Sequence, residues 1–190
     1  MARAKSEEKR LSILSAATHV IAKQGTEAPT LLIARQAGIA DGTLFTYFRS
    51  KDVLFNELYL HLKTELRDAM MPGYPLGASQ RDRIFHTWHA LVQWGIDNPE
   101  KRQAMHVLNL SERVSVTSKA AGADVFSFVM GLLKEIVESH QLLQVPVSFY
   151  AGLLGVMSES TMDYVCRGVD HPETAIAAGF NAFWRAIGGD

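Results

Sequence analysis

A single cysteine, Cys166, among 190 residues leaves no internal disulfide framework to build on. No apolar run approaches the roughly 20 residues that span a bilayer. The charged start, MARAKSEEKR, is not followed by the apolar core of a secretory signal. These absences predict a soluble cytoplasmic protein without a membrane partner. No stretch alternates apolar and polar residues between hairpin turns, so strands are not expected. No glycine-rich phosphate loop, GxSxG elbow or HExxH pair occurs, so neither an enzyme nor a cofactor is expected. No internal repeat and no low-complexity segment is present. The net charge of −1 lacks the basic excess of many nucleic-acid binders. Its distribution is uneven, however. Residues 1–69 hold ten basic and eight acidic side chains, which leaves the remainder at −3.

What is present is helical periodicity, with 47% apolar residues to build a core. The stretch from Pro29 to Lys51, PTLLIARQAGIADGTLFTYFRSK, reads as two short helices joined by a tight turn. Ile33, Ala34 and Ala37 share one face of the first, beside Leu32. Gly38 is the residue best suited to a left-handed helix end. Asp41 is the expected N-cap of the second helix, in which Leu44 and Phe48 point inward at i, i+4. Its outward residues, Gly42, Thr43, Thr46 and Tyr47, are mostly small and can hydrogen-bond. Such a face suits a DNA major groove.

Upstream, residues 1–7 are expected as an arm whose Arg3 and Lys5 could reach a DNA backbone. A helix follows from about Ser6 to Gln24, with Ile13, Leu14, Ala17 and Ile21 inward and Gly25 closing it. Pro29 fits the start of the next helix. Thr30 in that first turn could bind a phosphate or act as a plain cap. Ser50 should cap a fourth helix over residues 51–71, with Val53 or Leu54, Leu58, Leu62 and Leu66 as its stripe. Lys51 sits where the helix dipole disfavours a cation by about 0.3–1 kcal/mol, and a DNA phosphate would explain it. The two prolines and two glycines of residues 72–79 mark a break. Helices are then expected over 80–97, 100–111, 118–141, 147–167 and 173–187. Ile84, Trp88, Leu91 and Val92 face inward on the first of these, and Met105, Val107, Leu108 and Leu110 on the second. On the third, the inward set is Val125, Phe128, Val129, Leu132, Leu133 and Ile136.

Residues 11–55 resemble the DNA-binding end of the tetracycline-repressor (TetR) family of bacterial transcription regulators. The resemblance is carried by Ile13-Leu14, Ala16-Ala17, Gly25, Thr30, Ile33-Ala34, Ala37-Gly38-Ile39, Gly42-Thr43-Leu44-Phe45, Tyr47-Phe48 and Lys51. It implies an all-α protein with an N-terminal three-helix DNA-binding domain over residues 1–70, its helix-turn-helix at about 30–49. A fourth helix would link it to a larger helical domain over 71–190 that binds an effector and forms a homodimer. The implied DNA-binding set is Thr30, Gly42, Thr43, Leu44, Phe45, Thr46, Tyr47 and Lys51. Thr30, Tyr47 and Lys51 would hold phosphates, and Gly42, Thr43 and Thr46 would lie nearest the bases. Phe45 stands where the family often has tyrosine, and Ala40 where it often has serine. Each departure removes a hydroxyl, so backbone positioning should outweigh direct base readout. Phe45 is read either as a groove contact or as a core aromatic.

Small residues at three-to-four spacing mark the last two helices: Ala151, Gly152 and Gly155, then Ala175, Ala178, Gly179, Ala182 and Ala186. With Phe180, Phe183 and Trp184 adding apolar area, residues 147–187 are expected to form the homodimer interface. Trp88, Met105, His106, Asn109, Phe126, Met130, Phe149 and Met157 are candidates for lining an effector pocket. Their lack of charge points to an apolar or aromatic small molecule. His86 and His89 at i, i+3, with His106 beyond, lack a Glu or Cys to complete a ligand set, so no metal is expected. Cys166 reads as a packed thiol. The function expected is a ligand-responsive repressor, released from double-stranded operator DNA by its effector. The alternative is a helical interaction protein without sequence-specific DNA binding.

Overall fold

Every regular element among the described residues is a helix. The computed structural model describes residues 2–141 and 145–188, with side chains from Ser6 onward, so the side chains of Arg3 and Lys5 lie outside the described set. In order, the elements are α1 (Ala2–Gln24), α2 (Thr30–Gln36), α3 (Asp41–Tyr47), α4 (Lys51–Met70), α5 (Gln80–Asp97), α6 (Pro99–Leu110), α7 (Val116–Asp124), α8 (Ser127–Ser139), α9 (Val147–Val165) and α10 (Pro172–Ala186). The all-α class and the N-terminal helix-turn-helix are as expected. Packing forms two compact units, Met1–Thr64 with Asn98–Ala123 and Glu65–Asp97 with Asp124–Asp190. They do not follow a single cut at residue 70, because α6 and α7 pack with the N-terminal helices.

In the first unit, Ile13, Leu14, Ala17 and Ile21 of α1 are buried as their spacing requires. The helix begins at Ala2 rather than near Ser6, in keeping with the Ala, Lys and Glu content of its first turns. Gly25, at φ +75°, ends it. α6 lies against α1 with Ala104, Met105 and Leu108 buried, and His19 Nδ1 meets a Glu100 carboxylate oxygen at 3.0 Å. Leu110, expected inward, is 73% exposed because it falls in the last turn of α6, off the Ala104–Leu108 face.

The turn between α2 and α3 is set by Gly38 at φ +66°. Its N–H donates to Arg35 O at 3.1 Å and the Ile39 N–H donates to Ala34 O at 3.0 Å. This pair of bonds is the Schellman closure, which needs a left-handed residue at that position. The N-cap of α3 is Ala40, not Asp41. Ala40 adopts φ −67°, ψ 146° and has no side chain able to accept a hydrogen bond, while Asp41 is the first helical residue. The helix is thus dipole-matched by Asp41 yet uncapped. Ala40→Ser, with no change of backbone required, is expected to raise stability by about 1 kcal/mol. Urea denaturation checks this, and an unchanged midpoint would count against the cap assignment. Ser50 does cap α4, its Oγ accepting from the Val53 N–H at 3.2 Å. Leu54, Leu58 and Leu62 are buried, whereas Val53 is exposed.

The second unit is built from the end of α4 with α5, α8, α9 and α10. Leu66, Ile84, Trp88, Val92, Leu132, Leu133 and Ile136 are buried there. The single helix expected over 118–141 is broken. Phe126, at φ −103°, ψ 23°, precedes α8, and the break falls beside the boundary between the units. Apolar periodicity runs through that boundary, since each side is apolar toward its own unit, and so the pattern conceals it. The Met70 carbonyl at the end of α4 accepts from His86 Nε2–H at 2.9 Å, and Tyr74 sits edge-on to the same imidazole. Phe180, Phe183 and Trp184, expected to add area to an interface between copies, are buried within this unit instead. They lie on the face of α10 that meets α5 and α9.

Candidate nucleic-acid interface

Two buried side chains fix the orientation of α3. Leu44 and Phe48 are fully buried, four residues apart. The Arg10 guanidinium lies 5.5 Å from the Phe48 ring centroid and pairs with Glu57 of α4. With that face inward, Gly42, Phe45 and Thr46 share the opposite one at i, i+3, i+4 spacing, and all three are exposed. Thr43 and Tyr47 are half-buried on the flank between. Leu44 was expected among the DNA contacts and must be removed from them. A side chain with no accessible surface anchors the helix and touches no ligand. Phe45 is 44% exposed and is not a core aromatic.

The expected phosphate-binding positions lie nearby. Thr30 is the first residue of α2, half-buried, with Pro29 in the N-cap position, so its hydroxyl does not cap the helix. Lys51 opens α4, its Nζ 5.5 Å from the Phe55 ring centroid. Burial pulls the Lys51 pKa below the usual lysine value; Arg113 pulls the same way, while Glu27 and Asp52 oppose the shift. Arg113 is the residue that sequence reasoning missed here. From the loop after α6 its Nη1 donates to Asp52 Oδ1 at 3.0 Å, and its Nε donates to Glu27 Oε1 at 3.3 Å. The Glu27 hydrogen bond, then Asp52, raises the Arg113 pKa, and the same bond lowers that of Glu27. Arg113 lies 62 positions beyond Lys51, and no local pattern links them. Arg35, Gln36 and Arg49, exposed around the two short helices, were also passed over; their charge or polarity beside the motif was the available signal.

The proposed pocket residues fare differently. Met105, His106 and Asn109 belong to the first unit, where Met105 is buried and the other two exposed. In the second unit, Trp88 is fully buried core, Phe126, Met130 and Met157 are half-buried, and Phe149 is exposed. A groove of about 630 Å³ between α9 and α10 is lined by Ser160, Tyr164, Asp170, His171, Thr174 and Ala178 among others, and by none of the eight. Among the described residues no cluster of His, Cys, Asp and Glu could hold a metal. His89 instead approaches Glu173 at 3.6 Å. Cys166, expected as packed, is exposed, since it follows the last residue of α9. No helix among the described residues is long and apolar enough to cross a membrane.

Residues 13–58 match the family model of bacterial regulatory proteins of the tetR family. A putative tetR-family transcription regulator from Shewanella sp. PV-4 superposes with a TM-score of 0.82 and 28% identity, over 94% of this chain and 97% of that one. The chain resembles the TetR family in sequence over residues 13–58 and in fold over nearly its whole length. Members of this family are DNA-binding regulators of transcription, and the matched segment takes in α2 and α3. Two curated proteins of Bacillus subtilis are also similar. The fatty acid metabolism regulator protein is 40% identical over 77 residues, which cover 40% of each chain. The HTH-type transcriptional regulator YhgD is 32% identical over 85 residues, 42% of this chain and 44% of its own. The chain thus matches less than half the length of either curated relative.

Proposed function

We propose that this protein is a homodimeric repressor of the TetR family whose α3 enters the major groove of operator DNA and which a small apolar effector releases. The observation that carries the reading is the outward face of α3. Gly42, Phe45 and Thr46 stand exposed on a helix pinned by Leu44 and Phe48. Thr43 and Tyr47 would flank the groove, and Thr30 and Lys51 would hold phosphates. With a single neutral aromatic and few charges on α3 itself, affinity must draw on backbone contacts and on two half-sites read together. The test is fluorescence anisotropy on a duplex selected from a random pool, titrated with salt. Saturable, salt-sensitive binding well above that of random duplex is expected. Equal binding to both would favour a helical interaction protein instead.

Dimerisation is supported by an exposed stripe on α9. Phe149, Gly152, Val156, Ser160 and Tyr164 recur at three- and four-residue steps and are all exposed, beside Ala178 and Ala182 of α10. Small residues let helices approach closely, and Phe149, Val156 and Tyr164 supply apolar area. Val156→Glu, at a position 70% exposed, is expected to convert the dimer to monomers without unfolding them. Sedimentation equilibrium at micromolar concentration reads this directly, and an intact Val156→Glu dimer would exclude the stripe.

The effector reading rests on the uncharged, half-buried Phe126, Met130 and Met157 at the edge of the second unit's core. One relative is named for the regulation of fatty acid metabolism, which makes acyl compounds the first apolar class to test. Effector binding would shift α4 and so alter the separation of two recognition helices from the roughly 34–36 Å that successive major grooves require. Loss of the anisotropy signal on adding long-chain acyl compounds would support it.

A further inference from the structure

The loop between α6 and α7 is fastened to α4 by its backbone. Asn56 Nδ2 donates to the Arg113 carbonyl at 2.9 Å, and its Oδ1 accepts from the Ser115 N–H at 2.9 Å. Val114 between them is buried. A side-chain amide bonded on both sides of one residue holds that residue in a single orientation. The orientation sends the Arg113 guanidinium to Glu27, three residues before Thr30, and to Asp52, next to Lys51. Exposed ion pairs add little to stability. Glu27 and Asp52 are both largely exposed, so the cluster calls for a role other than holding the fold.

Charge counting suggests what that role is. Grouped with Arg113 at the start of α4 are the carboxylates of Glu27 and Asp52 and the ammonium of Lys51. Both carboxylates are taken by Arg113, and Lys51 ion-pairs with neither. Remove Arg113 and the pattern must rearrange, because two anions would face one ammonium a residue or a short reach away. A Lys51 held by Asp52 or Glu27 has exchanged a phosphate partner for a protein one. We propose that Arg113 is a positioning residue for DNA binding: it occupies Glu27 and Asp52 and so leaves the Lys51 ammonium available for a phosphate. The proposal rests on the repressor reading above. It assigns Arg113 an action through Lys51 rather than a DNA contact of its own.

A double-mutant cycle on the selected duplex separates these cases. Wild type, Arg113→Ala, Lys51→Ala and the double variant are titrated at fixed salt, with Glu27→Gln/Asp52→Asn as a further background and circular dichroism to verify the fold. Arg113→Ala is expected to weaken binding about tenfold in the wild type, and by less than about twofold once Lys51 is alanine. Its effect should also vanish in the Glu27→Gln/Asp52→Asn background, where no carboxylate remains to capture the lysine. Arg113→Lys, which retains a cation, should recover most of the affinity. An Arg113→Ala loss of equal size in all backgrounds would mean that Arg113 touches the DNA itself, and no loss in the wild type would mean that it has no part; either result overturns the proposal. A wild-type protein that fails to prefer the selected duplex shows up in the first titration, before any variant, and overturns the repressor reading together with the inference.

Discussion

Trp88→Ala is expected to lower stability by about 3–5 kcal/mol, among the largest effects any single substitution in this chain should have. The indole is fully buried. It stacks on Phe183 at 16° with centroids 5.6 Å apart, meets Phe180 edgewise, and donates from Nε1 to the Ile176 carbonyl at 3.1 Å. α10 has no side chain where the indole passes. A Cβ built on Gly179 would lie 2.9 Å from Trp88 Cζ2 and would collide with Thr161 Oγ1, so this glycine leaves the space the indole fills. Truncation therefore removes transfer energy, an aromatic stack and one hydrogen bond, and leaves a cavity whose rigid walls cannot close. Trp88→Phe should cost less, about 1–3 kcal/mol, because it keeps one aromatic ring but loses the hydrogen bond and the part of the indole that fills the space over Gly179. Urea unfolding of both variants measures the difference. A loss below about 1 kcal/mol for Trp88→Ala would return Trp88 to the list of pocket-lining residues, where its sequence context had placed it.

That contrast shows where sequence periodicity suffices and where it fails. A residue on the inward face of an amphipathic helix announces burial, and Ile13, Leu54, Leu58 and Val92 are buried as their spacing demands. Periodicity does not say whether a large inward side chain lines a cavity or fills it. Trp88 and Phe126 read alike in sequence, yet one is fully buried and the other only half-buried. Turn chemistry was equally readable where one residue type is required. Gly25 and Gly38 both adopt positive φ. It misled where a polar residue stood one place from the cap, as Asp41 does beside Ala40. The candidate interface was readable because it is local, eight positions within 22 residues, although Leu44 was included by motif rather than by face. Arg113 was not readable at all, because its place depends on a loop brought back to α4 through Asn56.

The substitution with the largest expected effect on function separates DNA binding from folding by moving the two in opposite directions. Gly42→Glu should raise stability and abolish most operator affinity. Gly42 is the second residue of α3, and a Cβ built there meets nothing within 4 Å. Replacing a helical glycine recovers part of about 1 kcal/mol of backbone entropy. A carboxylate in the first turn also matches the helix dipole, worth about 0.3–1 kcal/mol, slightly reduced here by the neighbouring Asp41. The net gain should therefore be of order 0.5–1 kcal/mol, visible as a raised melting temperature. On the duplex the same side chain would carry bulk and negative charge toward the groove from each subunit. Like-charge contacts cost several kcal/mol, and even about 2 kcal/mol in total corresponds to roughly 30-fold weaker binding. Gly42→Ala, small and uncharged, should share the stability gain and lose little affinity. If Gly42→Glu is more stable and still binds the selected duplex as tightly as the wild type, the exposed face of α3 is not the one that meets DNA, because no other face of this helix can take its place while Leu44 and Phe48 stay buried.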